Sequence, residues 1–302
     1  MKTFAKLFAL VLLAGVLRPA LADVNVFACE PAWGALTHAL AGDKADVYTA
    51  TNPFQDPHHI QARPSLISKL RRADLMICTG AQLEIGWMPQ LLLQSGNDKI
   101  QKGRPGHFEA ANYVKLLEVP ASVNRALGDI HPDGNPHIQT DPRNIADVAK
   151  ALTARLEQID PANAGYYAAR GADFMQRWEA AIARWQQEAK PLRGVRVVVH
   201  HDGWAYLFNW LGIRKAGALE PKPGVPPSAG HLAELKAELA GDPAKMVIHA
   251  AYQDDRADRW LSAQTGIPAV KLPFTVGGTP GAQDLFSLYQ DTVDRMLKAL
   301  KK

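Results

Sequence analysis

Cysteine is scarce in this chain of 302 residues: only Cys29 and Cys78 are present. That excludes a cysteine-built metal cluster and a disulfide-stapled scaffold, and allows at most one bridge. Each cysteine falls near the C-terminal end of an expected strand, VNVFAC (Val24–Cys29) and DLMIC (Asp74–Cys78). Neighbouring parallel strands would join them as a disulfide; two buried free thiols are the alternative. A membrane-length apolar run is also missing, since the run Leu7–Leu17 is shorter than the roughly 20 residues that span a bilayer. Charge of one sign is not in excess, with 34 Lys and Arg against 30 Asp and Glu. No Lys/Arg-rich stretch interleaved with aromatics occurs, so the electrostatic footprint of a nucleic-acid binder is absent. Neither H-E-x-x-H nor G-x-S-x-G appears, which removes two common signatures of hydrolases. Repeats at solenoid periods are absent as well.

What is present describes a folded globular protein. Apolar residues make up 47% and charged residues 21%, and the length suits two domains. Met1–Ala22 has a basic start (Lys2, Lys6), the apolar run, and Ala20-Leu21-Ala22 ahead of Asp23, the pattern of a cleaved secretory signal. Its removal takes away three basic and no acidic residues, leaving a net charge of about +1. Because Asp23 and not Cys follows the cut, the new N-terminus has no thiol for lipid attachment. A soluble, periplasmic protein is expected.

The rest alternates short apolar runs with amphipathic stretches, as parallel βα units do. VNVFA, DVYTA and ADLMICTG read as strands, with helices over Trp33–Leu40, Ser65–Arg72 and Leu83–Gln94. A short strand near Val114–Leu117 and a helix over Asn144–Gln158 follow. Between Pro161 and Leu192, Tyr167, Phe174, Trp178, Ile182 and Trp185 recur at helical spacing, predicting one long amphipathic connector. The pattern then restarts with Val195–His200, Trp204–Leu211, Leu232–Leu239, Met246–Ala250, Ala257–Thr265, Ala269–Leu272 and Leu285–Leu300. The expected class is α/β: two lobes, each with a small parallel sheet flanked by helices, joined by a long helix. The domain map is 1–22 signal, 23–158 first lobe, 159–192 linker helix and 193–302 second lobe. The proline-rich EPKPGVPPS, Glu220–Ser228, reads as a stiffened surface loop.

Chemistry concentrates in the ten histidines. His38 and His231 lie in helix candidates, His107 in a Gly-Pro-rich surface loop, and His249 after the apolar Met-Val-Ile, all compatible with ordinary structural roles. Three places differ: Asp56-Pro57-His58-His59, Asn135-Pro136-His137 and His200-His201-Asp202-Gly203 put histidine in turns after strands. Ligands of open α/β sheets collect outside the C-terminal strand ends, where such turns converge. Several neutral imidazoles together suit zinc. Proline beside histidine reduces the freedom the loop loses on binding.

These residues carry a resemblance. DPHHIQARPS (Asp56–Ser65), NPHIQTDPRN (Asn135–Asn144), HDGWAYLFNWLG (His201–Gly212) and the turn in ADLMICTGAQLEIGW (Ala73–Trp87) occur in this order around the long helix. The chain resembles the zinc and manganese solute-binding proteins of bacterial ABC importers, across essentially the whole mature sequence. The resemblance implies that the metal ligands are His58, His137 and His201, in a cleft between two α/β lobes. His59 and His200 become neighbours of the ligands, with His59 an alternative to His58. It further implies a non-enzymatic, monomeric periplasmic receptor that delivers its ion to an inner-membrane permease driven by an ATPase.

One departure from the pattern stands out: LPFTVGGTPGAQD places Val276 where many members have an aspartate ligand. Water, Asp284 or another carboxylate is left to complete the site. The long His-rich loop of some members is missing, and Val119–Gly134 offers only Asp129, His131 and Asp133. Three imidazoles favour zinc over the more oxygen-seeking manganese. Asp202 and Asp141 are candidates to orient imidazoles through their second nitrogen, or to cap helices. A secreted zinc hydrolase, or a metal chaperone or adhesin on the same scaffold, is the competing reading.

Overall fold

The computed structural model describes residues 24–123 and 128–301. The proposed signal segment and its cleavage point therefore lie outside the described residues. Among the described residues no helix is long and apolar enough to cross a membrane.

Two parallel four-stranded sheets form the scaffold. In the first, β1 (Val24–Ala28), β2 (Ala45–Thr49), β3 (Leu75–Cys78) and β4 (His107–Glu109) lie in the order β2-β1-β3-β4. In the second, β5 (Arg196–Val199), β6 (Arg214–Ala218), β7 (Met246–Ala250) and β8 (Ala269–Leu272) repeat that plan as β6-β5-β7-β8. Every pairing is parallel. Helices α1 (Pro31–Ala41), α2 (Pro64–Arg71) and α3 (Met88–Ser95) serve the first sheet, and α6 (Ala205–Leu211), α7 (Ala229–Gly241), α8 (Arg256–Thr265) and α9 (Leu285–Leu300) the second. Between the sheets run α4 (Pro142–Ile159) and the 25-residue α5 (Ala164–Glu188), the latter about 38 Å long at 1.5 Å per residue.

Side chains alternate across each sheet and so make a core on both faces. Phe27, Cys29, Met76 and Cys78 pack against Leu66, Leu70 and Leu91 of α2 and α3. Their sequence neighbours Val26, Ala28, Leu75 and Ile77 join a second core that continues through Tyr167, Phe174, Trp178 and Trp185 of α5. The same core reaches Val197, Val199, Met246 and Ile248 of the other sheet. Val198 and Val247 face the opposite way, onto Leu232, Leu235 and Leu261. One hydrophobic body thus runs through both lobes. The aromatic stripe read from spacing is its spine: Trp178 stacks on Phe174, 5.1 Å between centroids, and meets Trp185, Phe286 and Tyr289 edge-on.

Cys29 and Cys78 form a disulfide, with Cα atoms 4.8 Å apart. Parallel pairing of Ala28 with Ile77 brings the next residue of each strand side by side. Three local expectations change, the first being the helix expected over Leu83–Gln94, which begins only at Met88 after a run of turns. Val114–Leu117 is not a strand; it follows a 3-10 turn, and Leu117 serves the seam between lobes by donating its N–H to the Tyr206 hydroxyl at 3.1 Å. The strand is instead His107–Glu109, its His107 ring held 2.9 Å from the Ile100 carbonyl. β6 was hidden by its exposed Arg214 and Lys215, which mark an edge strand.

Candidate metal centre

The three histidine turns converge at the C-terminal ends of the strands. His58 lies between β2 and α2, His137 between β4 and α4, and His201 two residues beyond β5. The ring centroids of His58 and His137 are 5.1 Å apart, His58 and His201 5.6 Å, and His137 and His201 5.5 Å. One nitrogen from each ring lies within 4.8 Å of the other two. Gly203 permits the approach, because a Cβ there would stand 3.2 Å from His137, 3.3 Å from His201 and 3.1 Å from Phe274.

Two of the turns are built alike. The Asp56 side chain accepts the backbone N–H of His58 at 3.0 Å, and the Asn135 side-chain oxygen accepts that of His137 at 3.0 Å. Each is an Asx turn with proline at its centre. Asp56 Oδ1 also lies 2.7 Å from His58 Nδ1, and Glu220 Oε2 lies 2.8 Å from His201 Nδ1. An ionised carboxylate can only accept, so both Nδ1 atoms carry hydrogen and both Nε2 lone pairs are free. His58 Nε2 is buried with no hydrogen-bond partner, as is His137 Nδ1.

His58 and His201 line a cavity of about 190 Å³ whose walls include Asp56, Asp129, Glu220 and Tyr252. With Asp254, four carboxylates in one small space favour a cation. Burial, reinforced by the neighbouring imidazoles, keeps His137 well below the ordinary histidine range and therefore neutral. For His201 burial acts downward, but the hydrogen bond and charge of Glu220 outweigh it and the net shift is upward. Burial is also the largest influence on Asp56, pushing upward, yet the His58 contact carries it below the usual carboxylate range.

A fourth imidazole stands beside the triad. The His131 ring is 5.3 Å from His58 and 6.5 Å from His137, and burial, then His58 and His201, pull its pKa down to about 4. Its loop reaches the second lobe, where Asp129 N–H donates to the Pro223 carbonyl at 2.9 Å. Further ties cross nearby: Asn135 Nδ2 donates to the Asp202 carbonyl at 2.9 Å, and the Tyr206 hydroxyl to the Asn135 carbonyl at 2.6 Å.

Comparison with known proteins places the chain in a family. The family model for ZnuA, the periplasmic component A of the zinc-uptake complex, matches residues 26–302. The chain belongs to this family. The high-affinity zinc uptake system protein ZnuA of Paracoccus denitrificans (strain Pd 1222) is 26% identical, over 93% of this chain and 92% of its own. The manganese ABC transporter substrate-binding lipoprotein PsaA of Streptococcus pneumoniae is 22% identical, over 80% of this chain and 76% of its own. A crystal structure of ZnuA superposes with a TM-score of 0.74 at 20% identity, covering 90% of this chain and 99% of that one. A cadmium-bound periplasmic metal-binding protein from candidatus liberibacter asiaticus gives 0.75 at 18% identity, covering 92% and 100%. These likenesses establish the two-lobed α/β fold of the ZnuA family for this chain.

Several supporting roles fall elsewhere than the sequence suggested. Asp141 takes the capping alternative, on α4, and pairs with Arg143 at 2.7 Å, while Asp202 pairs with Lys215 at 2.6 Å, so neither orients an imidazole of the triad. Asp56 and Glu220 do so instead. Asp56 was visible inside its motif, whereas Glu220 is 19 residues from His201 and no local pattern joins them. EPKPGVPPS is therefore more than a stiff surface loop. Its first residue aligns His201, and its Gly224 N–H donates to the same Glu220 oxygen at 2.9 Å. Asp284 caps α9 through Ser287, and Val276 packs against the core. His59 is exposed at the cavity rim, and His200 is turned to Asp258 at 2.7 Å.

Proposed function

We propose that this chain is a periplasmic metal receptor that captures zinc between its lobes and delivers it to an ABC-type permease in the inner membrane, powered by that importer's ATPase. His58, His137 and His201 are the metal ligands on this reading. The observation that carries it is the meeting of three imidazoles from three separate loops, two of them held by carboxylates through the nitrogen facing away. Carboxylate-oriented imidazole is the usual support of a zinc ligand.

Zinc is favoured over manganese by the nitrogen-rich ligand set and by the absence of an aspartate at Val276. A family of transport components supports a binding role over a hydrolytic one. The lobes are residues 23–158 and 193–302 and the strut is 159–192; a core continuous through all three leaves release to modest lobe and loop shifts. Export with cleavage after Ala22, and action as a monomer, complete the proposal.

The test is metal analysis and zinc titration of the purified mature chain beside a His58→Ala/His137→Ala/His201→Ala variant. One tightly held equivalent in the native chain, lost in the variant while its circular dichroism is unchanged, is the expected result. Retention of that equivalent by the variant would overturn the assignment.

A further inference from the structure

The first lobe contains a second group of ligand-type atoms that shares no residue with the three histidines. The two sulfurs of the Cys29–Cys78 disulfide and a carboxylate oxygen of Glu84 lie within 4.8 Å of one another. Glu84 is brought there by a tight reversal after β3 in which Gly80, Ala81 and Gln82 all have positive φ, at 76°, 46° and 64°. That conformation is costly for the two non-glycine residues and persists only where the surroundings enforce it. Thr79 and Gly80 backbone N–H groups donate to the Glu84 carboxylate at 2.7 and 3.1 Å. Glu30, next to Cys29, is 8% exposed, and its Oε1 is buried without a hydrogen-bond partner. Cys78 and Glu84 border a cavity of about 390 Å³, which Glu109 and His107 also line. Register puts Glu109 beside Cys78 on the same face of the sheet.

We propose that the first lobe holds a redox-gated second metal site, Cys29–Cys78–Glu84, which takes a thiophilic divalent cation of the zinc and cadmium class when both cysteines are thiols and is abolished by the disulfide. An ion about 2.3 Å from sulfur and 2.0–2.2 Å from oxygen keeps its ligand atoms within roughly 4 Å of each other. The Glu84 oxygen is within 4.8 Å of both sulfurs, and the sulfurs, once released from their bond, have only to move apart to about that spacing. In the disulfide the two sulfurs share one electron pair in their bond and carry no charge, so each is a far weaker donor to an ion than a thiolate is. The thiol state exists in the exported chain before oxidation, and is regenerated by a dithiol reductant. In that exchange the reductant gives two electrons and two protons, closing its own disulfide as Cys29 and Cys78 become thiols. Metal binding then releases both thiol protons to solvent. The disulfide thus denies the ion a competing site on the protein that carries it.

The test uses the full mature chain with His58→Ala, His137→Ala and His201→Ala, so that the interlobe site is silent, and cobalt(II) as the probe. One sample is oxidised. The other is reduced with a water-soluble phosphine, which becomes its oxide while water supplies the oxygen and the two protons taken up by sulfur. The reduced chain should bind one equivalent and show the near-ultraviolet charge-transfer band of cobalt–thiolate bonds. The oxidised chain should show none, and adding Glu84→Gln to the reduced chain should weaken binding about tenfold or more. Two titratable thiols per chain without the band would overturn the proposal. So would the band persisting after Cys29→Ser/Cys78→Ser, or loss of near-ultraviolet circular dichroism on reduction. Zinc titration of the oxidised native chain reads the interlobe site alone, so failure there counts against the proposed receptor function and not against this site.

Discussion

Glu220 holds His201 by a 2.8 Å contact between Oε2 and Nδ1, and both side chains are largely shielded, at 12% exposed for His201 and 14% for Glu220. The contact sets the tautomer, points Nε2 toward His58 and His137, and raises the electron density the ring offers an ion. Glu220→Gln should weaken zinc binding about 10–100-fold, the usual cost of losing such support. Competition with a chromogenic chelator would measure it. An unchanged affinity would show that the ring is oriented by packing alone.

His131 adds an imidazole on a loop that starts in one lobe and is pinned to the other at Pro223. Burial already keeps it neutral, with a pKa of about 4, so it can approach an ion without first losing a proton. His131→Ala should speed zinc release about tenfold, equivalent to about 1.4 kcal/mol, with one equivalent still bound. Stopped-flow transfer of zinc to a chelator separates this from the loss of stoichiometry expected for the triad.

Protons and zinc compete for the same lone pairs. His137 is held neutral by burial and contributes little to that competition near neutrality. His201 holds its proton to a higher pH than an ordinary imidazole, so its competition begins above about 6.5 and deepens as pH falls. Zinc affinity should therefore drop between pH 7.5 and 5.5 by at least about one log unit per pH unit over the lower part of that range. Calorimetric titration at the two values is the check. Equal affinities would contradict the three-imidazole site.

Sequence patterns made the alternation of strands and helices legible because parallel strands buried on both faces read as short unbroken apolar runs, such as Val197–Val199. The long helix was visible because Tyr167, Phe174, Trp178 and Trp185 repeat at helical spacing. The histidine turns stood out through the proline and Asx residues that shape them. Relations set only by tertiary contact were invisible: Glu220 reaching His201, His131 reaching His58, and one core threading both lobes. β6 was missed because Arg214 and Lys215 break its apolar character where an edge strand meets solvent.

That core predicts where stability resides. Trp178 is fully buried, contacts aromatic rings of both α5 and α9, and donates its indole N–H to the Pro142 carbonyl at 2.8 Å. Trp178→Ala removes a large side chain and leaves that carbonyl without its donor, so a loss of about 3–5 kcal/mol is expected. Equilibrium denaturation in urea measures it. Because α5 serves both lobes, tryptophan fluorescence and far-ultraviolet circular dichroism should report one shared transition for the native chain; two separated transitions would mean that the lobes unfold independently.

The buried carboxyl pair near the disulfide should make stability depend on pH in the direction opposite to an ordinary ion pair. Burial pushes Glu30 well above the usual carboxylate range, with Glu84 adding to the effect, and burial raises Glu84 to about 7. Between the ordinary value of 4.5 and about 7 the folded chain retains protons that the unfolded chain has released. This contribution is therefore most favourable below about 4.5 and is lost as pH rises through the folded values. Glu30→Gln removes one acid and supplies an amide N–H that can donate to Glu84, so the ionised Glu84 is no longer penalised by a neighbouring carboxylate. The variant should equal the native chain in stability near pH 5 and exceed it at pH 8 by on the order of 1–3 kcal/mol. Denaturation midpoints of both proteins across that range give the difference, in which the titration of every other carboxylate cancels. A difference that does not change with pH would mean that the two acids do not influence each other's ionisation in the fold.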